Sequence, residues 1–216
     1  MIEFELSGFS CRADGSGDTL ALLFSGFDGQ LFGEVGGLVR ECGCVLAEFG
    51  PIGWDRDYSP WEAQSGERVF SGGAERLLKF LPAVTAALEE RFGEFRRIFL
   101  CGYSLGGLFA LYADAIWQEP RLCGTASCSG STWFPGWLEF QQSHPLQGRI
   151  FLSLGGKEKN SPDPLMASVE RTTMEVRRLA ERTPGVTAVT FVHEPGGHFS
   201  RVPQRLARGI TELVRE

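Results

Sequence analysis

The sequence has no run of lysine and arginine, and no stretch of the roughly 18 uncharged apolar residues that a membrane-spanning helix requires. Its 21 basic residues are scattered among 27 acidic ones in a chain of 216, and the formal charge of -6 argues against a surface that tracks a phosphate backbone. The opening MIEFELSGFSCRADGSGD has no basic segment leading into an apolar one, as a secretory signal would. The expectation is a soluble, cytoplasmic protein with neither nucleic acid nor membrane as a partner.

Metal-ligand spacing is missing as well. Of the six cysteines, Cys42 and Cys44 are too close together for the usual zinc pair, and no second pair or histidine cluster lies at ligand spacing. Cys44, Cys101, Cys123 and Cys128 sit within or beside apolar strand-like runs, so they read as small reduced core residues rather than a disulfide set. Gly155-Gly156-Lys157 falls short of a phosphate-binding loop: Phe151 stands where the upstream glycine is needed, and Glu158 follows the lysine in place of Ser or Thr. No internal repeat, low-complexity tract or linker interrupts the chain, whose length suits one domain over residues 1–216. No metal or organic cofactor is expected.

What is present is an alternation of short apolar runs with longer amphipathic stretches. Strands are predicted at Leu20–Phe24, Cys44–Phe49, Arg97–Cys101, Leu122–Cys128, Arg149–Leu154 and Ala188–His193. Helices are predicted over Leu31–Arg40, over Glu75–Arg91 with its apolar face at Leu77, Leu78, Leu81, Val84 and Leu88, after Ser104, around Asp163–Arg182 and over Pro203–Val214. This pattern implies an α/β fold, a mostly parallel sheet of about six strands with helices on both faces. The longest irregular stretch, Gly50 to Gly73, has the length of a functional loop.

One turn carries a chemical signal. The run Arg97-Ile98-Phe99-Leu100 leads into Cys101-Gly102-Tyr103-Ser104-Leu105-Gly106-Gly107 and then into a helical pattern. A sharp strand-to-helix turn of the form G-x-S-x-G strains the serine backbone, requires small neighbours and projects the hydroxyl above the sheet. It also places the Leu105 N–H at a helix start, where an unpaired donor can stabilise a developing oxyanion. The alternative is a glycine-rich turn with an incidental serine.

With this pentapeptide set between strand and helix, the chain resembles the α/β-hydrolase superfamily, and among its members the compact esterases related to enterochelin esterase and esterase D. The resemblance implies a serine nucleophile, an acid and a histidine in that order along the chain, the latter two on loops after strands. Glu158, past the strand-ending Gly155-Gly156, is the expected acid, with Asp163 on the same loop as the alternative. His198, after the turn Glu194-Pro195-Gly196-Gly197, is the expected base. His193 closes a strand and His144 precedes Pro145 in a connecting loop. The second oxyanion donor is expected in Ser25-Gly26-Phe27, with Phe27 N–H first and Gly26 or Asp28 behind it. The region before Leu20 looks too short for the full set of early strands, and no inserted lid of useful length is visible, which implies a reduced sheet and an open site.

Aromatic residues bear on the substrate. Trp54, Tyr58 and Trp61 fall in the Gly50–Gly73 loop, and Trp133, Phe134 and Trp137 follow the strand ending near Cys128. They would wall an apolar or aromatic acyl or alcohol group, or else pack the loops onto the body. The expected function is a serine hydrolase, a carboxylesterase cleaving a small or aromatic ester through an acyl-enzyme on Ser104. A thioesterase, peptidase or acyltransferase with the same triad, or a non-catalytic binding module of hydrolase shape, are the alternatives.

Overall fold

The computed structural model describes residues 1–215. The run Thr-Leu-Ala-Leu-Leu-Phe at Thr19–Phe24 is buried at every position because its side chains serve two cores: Leu20, Leu22 and Phe24 face one side of the sheet, Ala21 and Leu23 the other. In chain order the strands are β1 (Ile2–Leu6), β2 (Phe9–Gly15), β3 (Thr19–Phe24), β4 (Val45–Gly50), β5 (Glu62–Ser65), β6 (Arg68–Ser71), β7 (Arg97–Tyr103), β8 (Leu122–Cys128), β9 (Gly148–Gly155) and β10 (Val186–Glu194). The helices are α1 (Gly29–Val39), α2 (Trp54–Asp57), α3 (Ala74–Phe92), α4 (Leu105–Ile116), α5 (Trp137–Ser143), α6 (Pro164–Ala167), α7 (Val169–Glu181) and α8 (Val202–Val214).

Eight strands form the main sheet in the order β1-β2-β4-β3-β7-β8-β9-β10, and β5 pairs with β6 in a separate hairpin. From β4 to β10 the main sheet is parallel, whereas β2 runs antiparallel to both of its neighbours, β1 and β4. Helices α1 and α8 pack together on one face, with Phe32, Val35, Ile210 and Leu213 in its core. Helices α3, α4 and α7 supply the larger core opposite, through Leu77, Leu81, Leu108, Phe109 and Val176.

Two expectations are corrected. The sheet has eight strands rather than about six, because residues 2–15 hold both β1 and β2. They fit in so short a segment because Ser7 and Gly8 both take left-handed backbone angles, joining Leu6 to its partner Phe9 by a two-residue hairpin turn. The Gly50–Gly73 stretch is not irregular either: it contains α2 and the β5–β6 hairpin. Among the described residues no helix is long and apolar enough to cross a membrane.

The end of α4 is tied to the sheet by Asp114, which is buried and accepts from Thr125 Oγ1 at 2.7 Å and from Gln147 N at 2.8 Å. Burial pushes its carboxyl up to about 7, against the lowering effect of those two bonds. A carboxyl whose folded value is raised weakens the fold as pH climbs from the ordinary carboxylate range to that value, since the unfolded chain ionises first. Asp114→Asn has no such dependence. The stability of the variant relative to the parent, from urea unfolding, is therefore expected to rise by up to about 4 kcal/mol between pH 4 and pH 7.5. A difference constant with pH would contradict this.

Candidate active site

The carboxyl ends of β3, β7, β8, β9 and β10 share one edge of the parallel sheet, and the loops leaving them carry Ser25, Ser104, Ser129, Glu158 and His198 in turn. Ser104 sits between the last residue of β7 and the first of α4 with φ 55° and ψ -122°, a strained conformation for a residue with a side chain. The turn is this tight only because its neighbours are glycines. A Cβ on Gly102 would overlap Gly106, and one on Gly106 would overlap the carbonyl of Phe24 on β3. Ser104 N–H donates to Cys128 O at 3.1 Å, its carbonyl accepts from Ser131 N at 3.0 Å, and its hydroxyl lies 3.4 Å from Ser131 Oγ.

Glu158 and His198 meet beside it. Glu158 Oε2 lies 2.7 Å from His198 Nδ1, while Oε1 accepts from Ser129 Oγ at 2.6 Å, Gly155 N at 2.7 Å and Arg205 Nη1 at 3.1 Å. Burial pushes this carboxyl up, but the hydrogen bonds from His198 and Ser129, the charge of His198 and the Gly155 N–H together outweigh it and hold the acid below its ordinary value. It is therefore a carboxylate at neutral pH and an acceptor only, so Nδ1 of His198 donates to it, which leaves Nε2 as the nitrogen that faces away from the acid. Because its folded value is depressed, the stability it contributes is present above the ordinary carboxylate range and is lost as pH falls through the folded value.

Sequence reasoning passed over Arg205, which is fully buried on α8. Its Nη1 donates to Tyr103 Oη at 3.0 Å and to Ser129 Oγ at 2.7 Å as well as to Glu158. Its Nη2 donates to the carbonyls of Pro195 at 3.2 Å and Gly197 at 3.0 Å, in the turn leading to His198. The Tyr103 hydroxyl in turn donates to His198 O. The signal was an arginine on the apolar stripe of a helix, in register with Leu206, Gly209, Ile210 and Leu213.

A cavity of about 490 Å³ opens over these groups, lined by Ser104, Glu158 and His198 together with Trp54, Trp133, Met166, Val169 and Phe199. Of the six aromatic residues expected to face substrate, Trp54 and Trp133 line this cavity. Tyr58, Phe134 and Trp137 are buried beneath the walls, and Trp61 donates to Pro135 O at 2.8 Å and packs on Phe134 and Phe140. These four hold loops to the body, because the hairpin and α5 cover a core that needs large apolar side chains. Asp163 is not at the site: it caps α6, accepting from Leu165 N at 2.8 Å and Met166 N at 3.2 Å. His193 lies 3.5 Å from Glu170 at the surface, and His144 stacks on Phe140. Phe24 pairs with Gly102, which sets the Ser25-Gly26-Phe27 turn beside Ser104 and Leu105. Among the described residues no group of His, Cys, Asp or Glu is arranged to hold a metal ion.

Comparison with solved structures finds the same architecture. The siderophore hydrolase EstB from Aspergillus nidulans is 19% identical with a TM-score of 0.77, over 97% of this chain and 92% of that one. An IroE-like serine hydrolase from Shewanella oneidensis is 17% identical with a TM-score of 0.77, over 94% of this chain and 74% of that one. Est1E from Butyrivibrio proteoclasticus, solved with ferulic acid bound, is 12% identical with a TM-score of 0.60, over 98% and 97%. No family model and no curated protein matches the chain. The fold is that of the α/β-hydrolases.

The two acidic candidates separate by stability. Glu158→Gln leaves the Arg205 charge buried without its counter-ion and is expected to cost about 3 kcal/mol or more. Asp163→Asn keeps a capping side chain and is expected to cost less than about 1 kcal/mol. Chemical unfolding of both variants at pH 7 checks this, and equal losses would contradict it.

Proposed function

We propose that the chain is a serine carboxylesterase that forms an acyl-enzyme on Ser104. The observation that carries this reading is the 2.7 Å bond from His198 Nδ1 to a buried Glu158 carboxylate, at the same cavity as a serine in a strained strand-to-helix turn. His198 Nε2 takes the Ser104 proton as Oγ attacks the ester carbonyl, and Glu158 stabilises the imidazolium that forms. Leu105 N–H, in the first turn of α4 where helix geometry leaves donors unpaired, and Phe27 N–H receive the oxyanion. Collapse of the tetrahedral intermediate returns the proton to the departing alcohol. Water, deprotonated by the same imidazole, then frees the acid.

The substrate class follows from the walls. Trp54, Trp133, Met166, Val169 and Phe199 offer apolar surface, and Arg68 at the rim is already paired in two places with Asp55, so an uncharged aromatic or aliphatic group is favoured. The ferulic acid bound to the structurally similar Est1E supports an aromatic acyl group. All six cysteines are free thiols and four are buried, which suits the reducing cytoplasm as the working compartment.

Mixing the protein with excess p-nitrophenyl butyrate is expected to give a burst of nitrophenol equal to the protein concentration, together with a butyryl adduct on Ser104 in the intact mass. Ser104→Ala should lose the burst, the adduct and about three or more orders of magnitude in turnover while remaining folded. Turnover within a few-fold of the parent would rule out Ser104 as the nucleophile.

A further inference from the structure

The Ser25-Gly26-Phe27 turn is held at each of its three residues by side chains that the proposed reaction does not use. The Ser25 hydroxyl donates to Glu48 Oε2. Gly26 N–H donates to Tyr58 Oη at 3.2 Å, and Phe27 O accepts from Arg12 Nη2 at 3.3 Å. The Arg12 guanidinium also lies 3.8 Å from the centre of the Phe27 ring, and its Nε is 3.1 Å from Glu48 Oε1. Two hydrogen bonds and one ion-pair contact, the last made by Arg12 Nε and Glu48 Oε1 without a hydrogen bond between them, therefore run from β2 through β4 to both ends of the turn.

Two features call for an explanation. Phe27 has φ 69°, a left-handed conformation that is uncommon for a residue with a bulky side chain and persists only where its surroundings enforce it. The Glu48 side chain is completely enclosed, and a buried ion pair is a poor source of stability, since apolar residues of like volume serve at least as well. Both features make sense if these contacts serve geometry. The Gly26 N–H belongs to the peptide before the one that carries Phe27 N–H, and Phe27 O belongs to the peptide after it. With those two fixed, the peptide between them is limited to a crankshaft rotation about its two Cα atoms, and the left-handed φ of Phe27 is the orientation that it takes. The Gly26 N–H is taken by Tyr58, whereas the Phe27 N–H, like those of Asp28 and Gly29 behind it, has no hydrogen-bond partner among the described residues.

We propose that Arg12 and Glu48 are positioning residues for the oxyanion hole, holding Phe27 in its left-handed conformation so that its N–H stays directed at the acyl oxygen on Ser104. This rests on the esterase reading. Neither residue touches substrate, and the effect reaches the reaction through one peptide. Burial pushes the Glu48 carboxyl up to about 7, against the pull of Ser25 and Arg12. The acid can thus take up a proton when Arg12 is removed, and an Arg12→Gln protein escapes an unpaired buried anion.

The test compares the parent with Arg12→Gln, Arg12→Lys and Glu48→Gln, each first shown to keep a cooperative thermal transition. Kinetics use p-nitrophenyl butyrate, and inhibition uses phenylboronic acid, which becomes an anionic tetrahedral adduct on an active-site serine. Arg12→Gln is expected to lower kcat by about tenfold to a hundredfold, short of the full loss of an oxyanion donor, with KM changed less than about threefold. Boronate affinity should fall by the same factor as kcat/KM. Arg12→Lys, which keeps the charge without the fork, should recover part of the loss, and Glu48→Gln should show the same split in milder form. If Arg12→Gln does not fold, the two milder variants carry the test by the same criterion. A kcat within twofold of the parent, or a loss confined to KM with boronate binding unchanged, overturns the assignment while leaving the esterase reading intact. A parent with neither ester turnover nor boronate inhibition defeats both.

Discussion

A guanidinium with almost no exposure to water is tolerable only if acceptors surround it, and both terminal nitrogens of Arg205 are held by Glu158, Ser129, Tyr103 and two backbone carbonyls, while its Nε is left without a partner among the described residues. These partners come from four separate stations on the sheet edge: the end of β7, the end of β8, the loop after β9 and the turn before His198. Removing the arginine would release the acid and the histidine together. Glu158, although enclosed, stays ionised through the hydrogen bonds of His198, Ser129 and Gly155 and the charge of His198. One oxygen is committed to Arg205, Ser129 and Gly155, and the other is left to orient the imidazole.

The site is thus rigid on one side through a buried charge pair and on the other through backbone strain. Ser104, Phe27 and Ser129 all have positive φ, and all three stand directly after or within two or three residues of a parallel strand. Strain of this kind is retained where the surrounding structure over-determines it. Here the over-determination comes from close approach: β3 and β7 run side by side with Phe24 opposite Gly102, so the first turn of α4 has no room to relax. The apolar walls of the cavity come from α2 through Trp54, the loop after β8 through Trp133, α6 through Met166, α7 through Val169 and the turn at Phe199 beside His198.

Much of this is legible in the residues. The apolar runs of β3, β4, β7, β8 and β9 read as strands because both their faces are buried, and the glycines around Ser104 mark a turn that few other geometries require. Glu158 and His198 follow from the chain order that the family resemblance implies and from their loops after strands, and the structure brings them within hydrogen-bonding distance. The hairpin β1–β2 escapes because its alternation, Ile2-Glu3-Phe4-Glu5-Leu6, belongs to an edge strand with one wet face and is short enough to pass for a loop. The split of Asp163–Arg182 into α6 and α7 depends on Ser168 ending one helix and opening the next, which periodicity alone does not reveal. The aromatic residues show the sharpest limit: Trp54 and Trp61 are a few positions apart in the same loop, yet one faces the cavity and the other packs against α5, a difference set by tertiary packing.

The most direct measurement is a crystal structure of the protein after reaction with a fluorophosphonate ester. The account predicts a covalent bond from Ser104 Oγ to phosphorus, with the phosphoryl oxygen within about 3 Å of both Leu105 N and Phe27 N, the distance of an oxyanion donor. The alkyl or aryl group should lie against Trp54 and Trp133. An adduct on another residue, or a phosphoryl oxygen directed away from the Ser25-Gly26-Phe27 turn, would contradict it.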